Sequence, residues 1–527
     1  YDPNPHVQDP GLEMDPPQIT MEEASKRARQ NEIREEGIQR WKDWWERTRG
    51  VSVLLDRFWR FQAQWKAYDP ADLFDKELLR KNISRTSSNL TREFNLERVD
   101  RLYDRFHRQK DIFVMDAVDL GNEALDAWMA RLDGSNPDLE KIFDKIATQQ
   151  KKTLIQKSRN ACRHFVADVL ANLAKKSGNG SSIASKLRSA VSSGGEKGAG
   201  AALAIGNLDR SEVGSSSLSS LNEALRSFSD ELKEAASIAL MRVGDSDSAG
   251  NLAEVAIAAA GETNATSPKV RASIAALRAL AALQSRNKDA ITKIGTLVGD
   301  EPDDKLTSKK AQLSIVRQFA CEALESMADS SVAPLIIRAR RDTIGGVRKA
   351  AASAIKAING RDSNMGRKLA EILNHKDTSP PDRIGAALAL GDTGQDSRAY
   401  DLVYRIVDEN SPRKVRDPDP AVRSAACRAL GNLGNKTQFT IEALLKGMTD
   451  SAENVRQQAY NALRTLVGED TASQHTISIR EGEGQNPKEN EFKAWYSEED
   501  RNKFLKSWKK WYQRNKSDFS KSPPRET

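Results

Sequence analysis

Cysteine, histidine and mid-chain tryptophan are what this 527-residue sequence lacks. Its three cysteines, Cys162, Cys321 and Cys427, stand far apart within apolar patterns of helical spacing. That excludes a disulfide framework or a zinc cluster and reads as buried thiols. The five histidines, His6, His107, His164, His375 and His475, show no metal-ligand spacing, and no His-Glu-x-x-His, nucleophile elbow or Cys-His motif occurs. The expectation is no enzyme, no cofactor and no metal. No run of about 18 apolar residues is present, so no membrane-spanning helix is expected. Charge of one sign is also in short supply: 82 basic against 75 acidic residues leave +7, which does not by itself imply nucleic acid. With 38% hydrophobic and 30% charged residues, the chain suits an elongated, high-surface architecture better than one large globule.

What the chain does have is a recurring alanine-rich pattern. "DPDPAVRSAACRALGNLG" (417–434) is followed by a looser copy, "DSAENVRQQAYNALRTLVG" (450–468). In the first, Val422, Ala425, Ala426, Ala429, Leu430 and Leu433 form one helical stripe whose small residues allow close packing. Asp417, Pro418, Asp419 and Pro420 make a turn that starts the helix, and Gly431 and Gly434 are read as its end. Similar segments begin at 270, 316, 347 and 382, with weaker ones at 232 and 198. First helices fit between them, for example 365–375 and 440–448. The spacing is that of two-helix solenoid units.

These segments resemble the HEAT repeat, in particular the short alanine-rich subtype related to phycobilisome-lyase repeats, over roughly residues 155–468. The resemblance implies an all-α fold, an α-solenoid of HEAT-like helical hairpins with an additional helical N-terminal region. It also implies that Arg271, Arg317, Arg348, Arg423 and Arg456 line the second helices and pair with turn carboxylates such as Asp419 and Asp450. The same pairing follows from electrostatics, because a guanidinium near a helix start needs an acceptor to offset the helix dipole. At 382 the Val-Arg becomes Asp382-Arg383, which leaves that unit's register open. Most relatives of this type are binding scaffolds, and the phycobilisome lyases are the enzymatic branch.

Two stretches are expected to interrupt the array. Residues 175–206, rich in glycine and serine, lack the Gly-Lys-Ser/Thr ending of a phosphate-binding loop and are read as flexible. The charged connection 408–420 is expected to project from one edge. The ends differ in kind: 1–19 is proline-rich and expected to be extended or disordered, and 20–135 to be a Trp-rich helical region. The solenoid is placed at 136–470, a linker at 471–491, and a Trp-rich helix and tail at 492–527.

Near the N-terminus Trp41, Trp44 and Trp45 form a stripe, and near the C-terminus Trp508, Trp511 and Tyr512 repeat it. The pairing looks like the Trp-rich helix that accompanies HEAT arrays in some bacterial envelope proteins. Such stripes suit capping a solenoid end, a membrane surface, or stacking on a partner. These six residues are the candidate partner-binding positions. The functional expectation is a scaffold or assembly subunit holding a protein partner in a larger complex. A basic nucleic-acid-binding solenoid and a lyase-like enzyme are the alternatives, with a membrane surface as a possible non-spanning partner. A start at Tyr1 rather than methionine leads to the expectation of an exported, periplasmic or cell-envelope protein.

Overall fold

A computed structural model describes residues 25–26, 28–36, 51–63, 89–135, 148–298, 307–407, 416–468 and 498–521. Among the described residues the regular structure is helical, apart from one isolated bridge between Thr437 and Ser520. The fold is an all-α solenoid.

Two helices come first, α1 (Val51–Ala63) and α2 (Asn89–Val118), then the short α3 (Leu125–Ala130) and the long α4 (Thr148–Ser177). Eight hairpins follow among the described residues. The front ones pair α5 (Gly180–Ser192) with α6 (Gly195–Asn207), α7 (Ser215–Ala224) with α8 (Asp230–Val243), and α9 (Ala249–Ile257) with α10 (Pro268–Leu283). Next, α11 (Lys288–Val298) pairs with α12 (Thr307–Met327), and α13 (Ala333–Ala339) with α14 (Gly345–Arg361). The series closes with α15 (Asn364–Asn374) and α16 (Pro380–Asp392), α17 (Ala399–Ile406) and α18 (Pro420–Leu433), and α19 (Gln438–Gly447) and α20 (Glu453–Val467). A final helix, α21 (Glu498–Asn515), packs on the last hairpin.

Local chemistry explains where second helices start. Ser267, Ser379 and Asp419 each accept a hydrogen bond from a backbone N–H of the first turn, of Val270, Asp382 and Ala421 respectively, and a proline follows at the first helical position. The proline has no N–H to leave unpaired there, and its fixed φ is already helical. Second helices pack side by side in one row and first helices in another. Within the row of second helices the backbones nearly touch. A Cβ on Gly206 would lie 2.5 Å from the Cα of Ala239, one on Gly391 2.7 Å from that of Ala429, and one on Gly431 3.0 Å from that of Ala462. First helices meet through larger side chains such as Leu252, Ile291, Ile336 and Leu369, all buried. The second helices are therefore the more closely packed row, called the inner row below.

Several expectations are corrected here. The stretch 175–206 is not a loop but the end of α4 followed by the first hairpin, with a tight turn where Gly194 and Gly195 have φ of 74° and 60°. Gly200 is helical and buried because a Cβ there would collide with the carbonyl oxygen of Leu132 at 1.8 Å. Close packing overrides the loop propensity of glycine. Gly431 does not end its helix: it is the contact point with Ala462, and Gly434, with φ of 75°, is the left-handed cap. Of the connection 408–420, residues 408–415 lie outside the described residues.

The row is not uniform. α16 packs on α13 as well as on α14, with Gly385 against the backbone of Ile337. Arg340, at the end of α13, holds Asp392 at the end of α16 through two hydrogen bonds, and Arg341 lies 3.5 Å from Asp382. At the front, α1 and α2 cover α4 through aromatic rings. Phe58 stacks on Phe165 at 4.3 Å, Phe61 on Phe106 at 5.4 Å, and the fully buried Trp128 meets Phe165 edge-on at 6.1 Å.

Candidate interaction surfaces

The arginines of the second helices form a ladder from α12 onward. Arg317 donates through Nε and Nη2 to Asp342 at 2.6 and 3.1 Å, Arg383 to Asp417 at 2.8 and 3.0 Å, and Arg423 to Asp450 at 2.8 and 2.8 Å. Each carboxylate sits in the turn before the next second helix and also accepts a backbone N–H there, from Ile344, Asp419 and Ala452 respectively. The far nitrogen of the guanidinium turns back onto its own helix start: Nη1 of Arg423 donates to the carbonyls of Asp417 and Pro418 at 2.9 and 3.0 Å. One arginine thus ties three chain segments at once, with the fork geometry that suits a carboxylate.

Sequence reasoning named most of these residues and misassigned some. Arg383 occupies a full rung although Asp382 replaces the usual valine, which settles the register of that unit. Asp417, not Asp419, takes the guanidinium, and Asp419 caps α18 instead. Arg348 binds the carbonyls of Asp342 and Thr343 at 2.7 and 2.9 Å. Arg271 differs, pairing with Glu234 of the preceding second helix at 3.1 and 3.2 Å. Arg456 grips the carbonyls of Asp450 and Ser451 at 2.9 and 2.8 Å, while its buried Nε has no partner among the described residues.

Burial works against the Asp450 carboxylate, but hydrogen bonds from Arg423, the Ala452 N–H and Arg416 outweigh it and hold its pKa down at about 2. Glu234 goes the other way, pushed up by burial that Arg271 only partly offsets. His164 is half-buried, and desolvation together with Arg242, Arg163 and Lys110 pushes it down to about 3, so it is neutral at physiological pH. The three thiols are buried. Among the described residues no three His, Cys, Asp or Glu side chains gather as a metal would require, and no helix is long and apolar enough to cross a membrane. With the rungs and the apolar stripe turned inward, the inner row leaves Lys349, Lys356, Arg428 and Asn461 exposed and Arg464 half-buried over the Tyr460 ring at 5.7 Å.

Of the two candidate aromatic stripes, the structure describes the C-terminal one. Trp41, Trp44 and Trp45 lie outside the described residues. On α21, Trp508 and Tyr512 are buried within the chain itself and Trp511 is half-buried. Tyr460 of α20 meets Phe504 and Trp508 edge-on at 5.3 and 6.3 Å, and the Tyr512 hydroxyl donates to Glu442 of α19 at 2.8 Å. The tail after α21 is tied to the start of α19, where the Gln438 N–H donates to the Ser520 carbonyl at 2.8 Å. These contacts cover the apolar end that a solenoid would otherwise expose.

Residues 413–475, which span α18 to α20, match the family model for HEAT repeats. The hairpins of that segment are HEAT repeats. Among the earlier second helices, α10 and α16 start with a capping residue followed by proline as α18 does, α6 and α16 make the close glycine-to-alanine contact, and α12 and α16 carry the arginine rung. Solved structures similar to the chain include an engineered protein at 17% identity, with 72% of this chain and 99% of that one covered and a TM-score of 0.28. They also include Kap121p, at 12% identity with 85% of this chain covered and a TM-score of 0.28, and the Pds5-Scc1 complex, at 14% with 68% covered and 0.27. The chain spans 58% and 60% of the length of the last two. No curated protein sequence matches it.

Proposed function

We propose that the HEAT solenoid is a non-enzymatic scaffold or assembly subunit that grips an extended segment of a protein partner along the inner row of second helices. The carrying observation is the construction of that row. Arg317, Arg383 and Arg423 fix neighbouring hairpins to one another, and exposed side chains such as Arg428 and Asn461 sit on helices held by glycine-to-alanine contact. A surface that is already ordered loses little entropy on binding. The non-enzymatic part of the reading is supported by the state of three titratable groups: His164 is neutral, and Cys321 and Cys427 are held as thiols by burial.

The test is retention of a protein from the native source on the immobilised chain, with mass spectrometry after a high-salt wash. The expected result is a specific protein lost from the R428E/R464E double variant and kept by a variant changed on the outer helices. Recovery of nucleic acid alone, with steep salt dependence, would reverse the reading.

A further inference from the structure

We propose that the outward face of α21 is a second docking surface, separate from the inner row, for a short acidic segment of a partner protein. The helix has two faces of opposite chemistry. Phe504, Trp508 and Tyr512 are turned onto α19 and α20 and are buried. Lys506, Lys509, Lys510, Gln513 and Arg514 are exposed on the other side. Together with Thr449, Asn502 and Leu505 they line an open cavity of about 710 Å³, a lining that holds four cations and no carboxylate.

None of these four cations meets a carboxylate among the described residues. On either side the charges do close: Lys503 pairs with Glu499 at 2.8 Å and Lys516 with Glu442 at 3.0 Å. Within the stripe, Lys506 stands three and four residues from Lys509 and Lys510, and Lys510 four from Arg514. Like charges at those spacings destabilise a helix, and no carboxylate among the described residues pairs with them there. An anionic partner would.

Size and composition select the occupant. From Lys506 to Arg514 the stripe runs about 12 Å at the helical rise of about 1.5 Å per residue. It ends at the carboxylates of Glu499 and Glu442, so it offers no continued basic track of the kind that follows a nucleic-acid backbone. In an extended polypeptide, side chains on one face recur about every 7 Å, which places two or three carboxylates over the stripe. The lysine stems and Leu505 give such a segment an apolar floor.

The experiment titrates the full chain into a fluorescein-labelled peptide with glutamate at alternate positions, read by fluorescence anisotropy. A glutamine version and a single-stranded oligonucleotide of equal charge are run alongside. The expected result is binding of the glutamate peptide, weakened at least tenfold by K509E/K510E and about threefold by the milder K506Q/R514Q. Binding should be untouched by R428E/R464E on the inner row, so this surface and the proposed scaffold face fail independently. All four α21 positions are exposed, and an unchanged circular dichroism spectrum and urea midpoint verify that the variants fold. Equal binding of the glutamine peptide, indifference to both α21 variants, or tighter binding of the oligonucleotide through the same residues would each overturn the proposal.

Discussion

The front and rear of the helical stack hold their neighbours by different means. At three of the four joints from α12 to α20, a guanidinium on one second helix reaches a turn aspartate of the next hairpin, in Arg317–Asp342, Arg383–Asp417 and Arg423–Asp450, whereas Arg348 of α14 binds the carbonyls of its own turn. From α4 to α10 the charges run from helix to helix with the carboxylate placed differently: Arg159 and Arg163 face Glu196, and Glu234 faces Arg271. Asp168 there serves Lys110 of the N-terminal cover and Asn207 of α6. The contrast teaches that a repeat fold needs a reliable joint but not one particular joint. In the rear, polar groups fix the turn and the neighbour together. In the front, backbone contact at Gly200 and Gly206 leaves room for little else.

The largest test of that difference removes a rung. Replacing Asp450 with alanine leaves the buried fork of Arg423 without its acceptor, and breaking one partner of such a pair typically costs about 3–5 kcal/mol. Because repeats are stabilised mainly by their neighbours, the loss should stay local. Hydrogen exchange should show α18 to α20 opening while α5 to α10 keep their protection. Uniform loss of protection along the chain would mean that the joints are not the units of stability.

A smaller effect sharpens the comparison from the other side. Both halves contain a glycine pressed on a neighbouring alanine, Gly206 on Ala239 and Gly391 on Ala429. An added methyl forces the helices apart, and overpacking of this kind costs about 1–3 kcal/mol. The contact of α16 with α18 is also tied by Arg383 and Asp417, whereas none of the aspartate rungs crosses from α6 to α8. Gly206→Ala should therefore lower the urea midpoint of its region more than Gly391→Ala lowers that of the rear. Equal shifts would show that the rung adds nothing once the backbones have separated.

The two halves were also unequally legible in the sequence, for the same reason. The rear repeats reuse a few side chains, with proline after a capping serine or aspartate at α16 and α18 and an arginine near the start of α14, α16, α18 and α20, so these tasks leave a pattern at regular spacing. Even there the sequence could not say which aspartate of Asp417-Pro-Asp419 caps and which bridges, because both have the same chemistry and differ only in where the turn aims them. The front works through missing side chains. Gly198, Gly200 and Gly206 look like loop residues until the neighbouring backbone that excludes a methyl group is in place. The aromatic stripe of α21 was visible from its spacing, but its partner, Tyr460, announces itself only as one more ring on α20.

The smallest effect is one of sign, and pH brings it out. Asp450 and Asp362, both held at about 2 in the folded chain, the latter chiefly by its hydrogen bond to Ser330, contribute stability that is complete above the ordinary value of 3.8. That contribution drains away as the pH falls through about 2. Glu234 in the front has its folded pKa raised by burial, so the folded state binds the proton more tightly and gains stability as the pH falls through the raised value towards 4.5. Asp392, raised by burial at the α13–α16 contact, shares that sign and softens the loss in the rear. Between pH 6 and pH 3, hydrogen exchange corrected for intrinsic rates should show protection around α8 and α10 rising slightly while that around α18 and α20 falls. Glu234→Gln should abolish the rise in the front and leave the rear untouched. A front that weakens in acid alongside the rear would mean that Arg271 outweighs burial at Glu234, and that the two kinds of joint respond to protons alike.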